Sequence, residues 1–109
     1  MGEKWKFVYK FDIFEYKAGI RVGDKLRLKK VLECRYPDGK ISNVYRPEQG
    51  VWKVLPSSTQ DPVVRLWNPM ERVHTWDDDP AAVFEWFEIV DRLSDADFQK
   101  MVQSADGRP

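Results

Sequence analysis

Alternation of apolar and polar residues is the dominant pattern in the first third of the chain. From Trp5 to Ile13 every second residue is aromatic or aliphatic, and most residues between them are polar. A second alternating stretch runs from Lys25 to Tyr36, after an interruption that contains Gly19 and Gly23. Alternation of this length is typical of a strand with one buried face. The pattern therefore predicts one strand over 5–13 and another over 25–36.

A turn signal follows the second stretch. Pro37-Asp38-Gly39 combines a fixed φ angle, a side chain that bonds its own backbone, and a residue that accepts positive φ. The turn predicts a hairpin between 25–36 and the residues that follow it. The apolar positions of the two strands agree if Tyr36 lies opposite Ile41, Cys34 opposite Asn43 and Leu32 opposite Tyr45.

Further short strands are predicted in the second half. They cover Val51 to Leu55, Val63 to Trp67 and Arg72 to Trp76, with turn residues between them. Residues 80–93 fit either a helix or a strand. The preferred interpretation is a short helical turn near 80–83, followed by a closing strand over about 85–90.

The C-terminal segment has the pattern of a short helix. Ser94 is a suitable N-cap, and acidic residues follow it in the first turn. Phe98, Met101 and Val102 would form the buried stripe of this helix.

The spacing of the strands predicts the architecture. Strands that recur every ~8–12 residues with turns between them favour an all-β barrel or sandwich. We expect a mainly β fold, namely a small antiparallel barrel (SH3-like or similar, about six strands) with a short C-terminal α-helix. Residues 1–93 would form the barrel domain, 94–104 the helix packed on it, and 105–109 a flexible tail.

Composition agrees with one folded domain. The chain has 109 residues, and 14% of them are aromatic, including five Trp. Cys34 is the single cysteine, so no intramolecular disulfide forms and a reducing compartment is expected. No apolar stretch approaches the ~20 residues of a membrane-spanning helix, and no secretory signal is recognisable. The expectation is a cytoplasmic protein that does not enter the membrane.

The hairpin around Asn68-Pro69 carries the main functional hypothesis. An even-numbered loop would pair Trp67 with Arg72 and would place one set of side chains on a common face: Trp67, Trp76, Arg65, Arg72 and His74. Trp and Arg are enriched at interface hot spots, so this patch predicts a protein-binding surface. The alternative is that the rings and guanidiniums only stabilise their own hairpin or are buried. An odd-numbered loop would divide the patch between two faces.

The net charge of zero hides an asymmetry. Residues 1–53 contain 13 basic and 7 acidic side chains, whereas residues 54–109 contain 5 basic and 11 acidic ones. The outward positions of one predicted strand are basic: Lys25, Arg27, Lys29 and Arg35. Such a stripe could bind nucleic acid, could simply be a solvated face, or could attract the acidic half of a second copy.

Catalytic motifs are sparse. Cys34 and His74 would be the partners of a thiol–imidazole pair, but the strand pattern places Cys34 on the core-facing side. Asp77, Asp78 and Asp79 could hold a hard cation, or the last of them could cap the turn at Pro80. We therefore expect a non-enzymatic interaction module without a cofactor or a bound metal, with a nucleic-acid-binding barrel as the alternative and an enzyme as the least favoured class.

Overall fold

The computed structural model describes residues 11–76 and 79–105. Seven strands are present in this part of the chain: β1 (Lys25–Leu28), β2 (Leu32–Arg35), β3 (Ile41–Tyr45), β4 (Trp52–Leu55), β5 (Val64–Trp67), β6 (Val73–Trp76) and β7 (Phe87–Asp91). They are accompanied by α1 (Val83–Trp86) and α2 (Asp95–Ala105), and by 3-10 turns at Lys17–Gly19, Pro47–Gln49 and Pro80–Ala82.

The strands form two antiparallel sheets. The larger sheet has the order β6-β5-β4-β1-β7, and β2 pairs with β3 in a separate two-stranded sheet. The predicted mainly β fold with a C-terminal helix is confirmed. Within the described residues the edge strands β6 and β7 do not pair with each other, so the predicted closed barrel is wrong for this part of the chain. The comparison with an SH3 barrel stays unconfirmed.

The stretch 25–36 forms two strands instead of one. The alternation breaks at Lys29-Lys30, and there the chain leaves the larger sheet. The Lys29 backbone N–H donates to the Trp86 carbonyl (2.7 Å), and its Nζ donates to the Phe84 carbonyl (2.6 Å). These two hydrogen bonds hold the bend at Lys29, and β2, which follows the bend, belongs to the second sheet.

The hairpin of β2 and β3 largely has the predicted register. Leu32 lies opposite Tyr45 and Cys34 lies opposite Asn43, as expected. The predicted pair of Tyr36 with Ile41 is wrong, because an irregularity between Cys34 and Arg35 places Arg35 opposite Ile41. An irregularity of this kind places an extra residue in one of the two paired strands, so the register shifts although the turn sequence that follows is unchanged.

The region 79–105 follows the local signals. The Asp79 carboxylate accepts from the Ala81 N–H (2.9 Å) and starts a helical turn, after which the chain enters β7. The Ser94 hydroxyl accepts from the Asp97 N–H (3.1 Å) at the start of α2, and Phe98 is buried. The helix ends at Ala105, one residue beyond the predicted end, and 106–109 lie outside the described residues. Most of the strand predicted over 5–13 also lies outside them, although Ile13 makes an isolated bridge with Ser57.

The core lies against the inner face of the larger sheet. Its centre is aromatic: the Trp52 ring is 4.9 Å from Phe87 and 5.0 Å from Tyr45, both with edge contacts. Edge-to-face packing is a preferred arrangement of aromatic pairs. None of the helices in 11–76 and 79–105 combines the length and the apolarity that a membrane crossing needs.

Candidate functional site

The register of β5 and β6 divides the predicted aromatic and arginine patch. The pairs are Val64 with Trp76, Arg65 with Thr75, Leu66 with His74, and Trp67 with Val73. The connection is therefore odd-numbered, and the predicted even-numbered loop is wrong. Because side chains alternate between the two faces of a sheet, the shift by one residue moves His74 and Trp76 to the face opposite Trp67 and Arg65.

Asn68 is the physical reason for this register. It is 1% exposed, and its Oδ1 accepts from the N–H groups of Met70 (2.9 Å) and Arg72 (3.3 Å). Its Nδ2 donates to the Tyr45 hydroxyl (3.3 Å). Glu71 adopts a left-handed φ of 62°, which closes the turn as in hairpins with an odd number of loop residues. The sequence signal was present in Asn68-Pro69, since Asn commonly bonds the backbone two residues on.

His74 and Trp76 face the interior. Trp76 is buried, and its ring lies 6.0 Å from Phe87. The His74 ring makes edge contacts with Tyr45 at 6.0 Å and with Trp52 at 5.6 Å. These two members of the predicted patch belong to the packing beside the core.

The other three members lie elsewhere. Arg65 and Trp67 are half-buried on the outer face of the larger sheet, and Arg72 is exposed in the loop. The Arg65 guanidinium lies 4.7 Å from the Phe11 ring, and it donates to the Pro56 carbonyl (3.0 Å). The five residues therefore do not form one surface.

The predicted basic stripe is also divided. Lys25 and Arg27 are exposed on the outer face of β1, as expected. Lys29 is held by its bond to the Phe84 carbonyl, and Arg35 belongs to the other sheet, where it pairs with Glu33 (2.8 Å). The stripe is wrong as a single surface, because the chain changes sheets between Leu28 and Leu32.

A groove between the two sheets was not predicted. Its volume is about 420 Å³, and its lining comes from β2, β6 and α1: Leu32, Cys34, Arg35, His74, Thr75, Trp76 and Trp86. Pockets of ~300–1,000 Å³ are typical of ligand sites. The sequence could not show this groove, because it exists only where two separate sheets approach each other.

The groove brings Cys34 and His74 to one place. Burial raises the pKa of the Cys34 thiol. A raised pKa keeps the sulfur protonated near neutral pH, and the thiol is a weaker nucleophile than the thiolate. The raised pKa therefore favours a role for Cys34 as a side chain that lines the groove over a role as a nucleophile.

Both strands beside the groove are sheet edges. Within the described residues β2 pairs with β3 alone, and β6 pairs with β5 alone. The Asn68 N–H donates to the Arg72 carbonyl (3.0 Å), so this is a hydrogen-bonded pair. Because such pairs alternate along an antiparallel ladder, the backbone groups of Val73 and Thr75 point away from β5.

The two edge strands of the larger sheet differ in how well they are protected against pairing with an additional strand. The outward positions of β7 include Glu88, Asp91 lies at its end, and the pairing of β7 with β1 has an irregularity. Charges and bulges of this kind discourage the addition of another strand. In contrast, β6 consists of Val73, His74, Thr75 and Trp76, without a lysine, an acid or a proline. Val73 is 45% exposed, and among the residues that the structure describes no strand pairs with the outer edge of β6.

One buried donor lines the groove. In the part of the chain that the structure describes, the Trp76 Nε1–H is buried and has no hydrogen-bond partner. A buried donor without an acceptor costs about 1–3 kcal/mol.

The acidic triplet has a structural role at its last residue. Asp79 caps the helical turn at Pro80, whereas Asp77 and Asp78 lie outside the described residues. Among the residues described, His, Cys, Asp and Glu side chains do not form a group of three that could hold a metal ion.

Comparison of the chain with protein-family models, with characterised proteins and with solved structures finds no match. We therefore infer function from the geometry of the groove and of the outer sheet face.

Proposed function

We propose that the protein is a non-enzymatic binding module that takes up an extended segment of a partner protein. The segment would add to the edge of β6 and lie in the groove between β6 and β2. The observation that carries the proposal is that β6 contributes to the groove lining and, within residues 11–76 and 79–105, pairs with another strand on one side only.

The backbone of β6 supplies the affinity. The N–H and C=O groups of Val73 and Thr75 point away from β5, at the spacing that an added strand requires. Peptide recognition by strand addition uses main-chain hydrogen bonds for affinity and pockets for alternate side chains for specificity.

The groove supplies the specificity. Trp76 and Trp86 provide aromatic walls. At the rim, Lys30 Nζ lies 4.2 Å from the centre of the Trp86 ring, and Arg35 is exposed. The seven lining residues include no carboxylate. We therefore expect an apolar side chain in the groove, next to a residue that offers an oxygen acceptor.

A phage-displayed library of random peptides is the probe for this proposal. Selection against the full chain should enrich peptides that perturb the amide resonances of β6 and β2. The variant Thr75→Pro removes the outward N–H, and proline is tolerated where the N–H of an edge strand faces solvent. We expect the affinity for the selected peptides, measured by calorimetry, to fall at least ~10-fold. The peptide loses its main-chain hydrogen bond to the Thr75 N–H and the main-chain bonds next to it.

The control variant is Thr75→Val, which keeps both the N–H and the β-branched shape. It should bind the selected peptides as the parent does, and both variants should retain the dispersed amide spectrum of the folded chain. Equal binding by Thr75→Pro, perturbation confined to other surfaces, or a failure to enrich any peptide would contradict the proposal.

Two other occupants of the edge are distinguishable in the same samples. A second copy would give a molecular mass that rises with concentration in sedimentation experiments. The chain's own residues 1–10 would give nuclear Overhauser effects to Val73 and Thr75 in the free protein. Either result would replace the partner segment by that occupant.

A further inference from the structure

The outer face of the larger sheet carries a row of basic and aromatic side chains. Lys25 of β1 lies directly opposite Lys53 of β4, and Lys53 lies directly opposite Trp67 of β5. Arg27 and Arg65 lie on the same face, two residues from Lys25 and Trp67 respectively. The centre of this row is separate from the groove, because β1 and β4 contribute none of the residues that line the groove.

The register creates a conflict of charge. Cross-strand neighbours on one face have Cβ atoms ~4.5–5.5 Å apart, and like charges in that position destabilise a sheet. Lys25 is partly compensated by Asp91, whose carboxylate lies 3.8 Å from its Nζ. Arg27 lies directly opposite the exposed Glu88 of β7. Within the described residues Lys53 has no acidic partner within ion-pair distance. An anion above this row would relieve the repulsion.

We propose that this outer face binds single-stranded nucleic acid. The phosphates would lie against Lys25, Lys53, Arg27 and those N–H groups of Arg65 that do not bond the Pro56 carbonyl, and a base would stack on Trp67. Single strands are bound by positively charged surfaces that also offer aromatic rings for stacking. Trp67 is half-buried, so part of its side chain remains accessible for stacking.

The salt dependence of binding follows from the number of contacts. Four phosphate contacts on a single strand give a slope of about −2.8 in log K against log salt. Raising the salt from about 50 to about 200 mM should then weaken binding about 50-fold. This dependence is much larger than a stacking contact alone would produce.

The probes are fluorescently labelled oligo-dT and oligo-U of about twelve nucleotides, within the usual site size. Anisotropy titrations with the full chain measure their affinity at the two salt concentrations. The variant Lys53→Glu should lower the affinity at least ~10-fold and flatten the salt slope. It should also raise the thermal midpoint, because Lys25 then faces an acid.

Lys100→Glu is the matched control. Lys100 is exposed on α2, so this variant changes the net charge equally without touching the row. It should bind the oligonucleotides nearly as the parent does. A second pair of variants tests the platform: Trp67→Ala should weaken binding several-fold, and Trp67→Phe should preserve most of it.

Several outcomes would overturn the inference. These are an absence of binding at low salt, equal losses for Lys53→Glu and Lys100→Glu, and equal affinity for polyglutamate of similar length. The last result would assign the face to an acidic polypeptide. Lys53 lies on β4, two strands away from β6, so Lys53→Glu should leave binding of the selected peptides unchanged, and this test and the peptide test fail or succeed independently.

Discussion

At the scale of single residues, the buried Asp24 shows how one ion pair joins distant parts of the chain. Asp24 is 1% exposed, and both of its carboxylate oxygens accept from the Arg92 guanidinium (2.8 and 2.7 Å). The Arg21 backbone N–H also donates to it (2.9 Å), and Arg92 donates to the Gly19 carbonyl (2.7 Å). A bidentate pair of this kind fixes the loop before β1 to the residue after β7.

Replacement of this arginine should destabilise the fold. In Arg92→Met the buried carboxylate keeps the Arg21 N–H but loses its two charged donors. We expect a loss of about 1–3 kcal/mol in the free energy of unfolding, because the buried Oδ1 of Asp24 is left without a donor while the exposed part of Arg92 limits the effect. Urea denaturation measures it.

Lys100→Met is the control for this prediction, since Lys100 is exposed on α2. Its free energy of unfolding should change by less than about 0.5 kcal/mol. A midpoint for Arg92→Met equal to that of the parent would contradict the stabilising role of the pair.

Single residues also show what local sequence predicts well. Asp79 and Ser94 act as caps, as their positions indicated. A cap bonds to the backbone two or three residues away, so its partners are visible in the sequence. The partner of Asp24 is 68 residues away, and no local pattern identifies it.

At the scale of elements, the turn between β5 and β6 decides which side chains share a face. Five residues connect these strands, and the buried Asn68 holds them through bonds to Met70, Arg72 and Tyr45. Alternation identified both strands, but it gave no count of loop residues. For that reason the predicted patch contained the right strands and the wrong combination of side chains.

Asn68→Ala should weaken this turn. The variant removes an acceptor from two backbone N–H groups and a donor to the Tyr45 hydroxyl, so we expect a loss of about 1–3 kcal/mol in unfolding free energy. Hydrogen exchange of the β5 and β6 amides should accelerate more than that of α2. Asn68→Asp keeps the acceptor and should lose less, whereas uniform acceleration over all elements would contradict a local role for Asn68.

At the scale of the whole molecule, the two oppositely charged halves of the chain meet within one fold. Arg21 pairs with Asp95 (2.8 Å) and Lys25 with Asp91 (3.8 Å), which joins the basic first half to the acidic second half. These exposed pairs are individually weak. They nevertheless pair, within one molecule, some of the opposite charges that in the sequence suggested an attraction between two copies of the chain.

Buried titratable groups give the molecule a defined response to alkaline pH. Burial raises the pKa of Tyr16, Tyr45 and Cys34 above their ordinary values. A raised folded-state pKa means that the unfolded chain loses its proton first, so stability is full below the unfolded pKa and falls as the pH rises through the folded one. Urea denaturation should therefore show a lower free energy of unfolding at about pH 10 than at about pH 7.

Tyr45→Phe provides the corresponding control, because it removes one of the three groups while keeping the ring. Its stability should decrease less steeply with pH than that of the parent. A stability that is constant or rising over the same interval would contradict the prediction.

Local sequence patterns alone specify β3 to β7, the caps and the C-terminal helix, because each depends on periodicity or on bonds to residues a few positions away. Three features follow from the three-dimensional packing instead: 25–36 is shared between two sheets, His74 and Trp76 face inward, and Lys25, Lys53 and Trp67 form one row. These features depend on the register of strands and on the approach of separate sheets. A shift of one residue in register moves a whole strand's side chains to the other face, and local sequence constrains that shift only weakly.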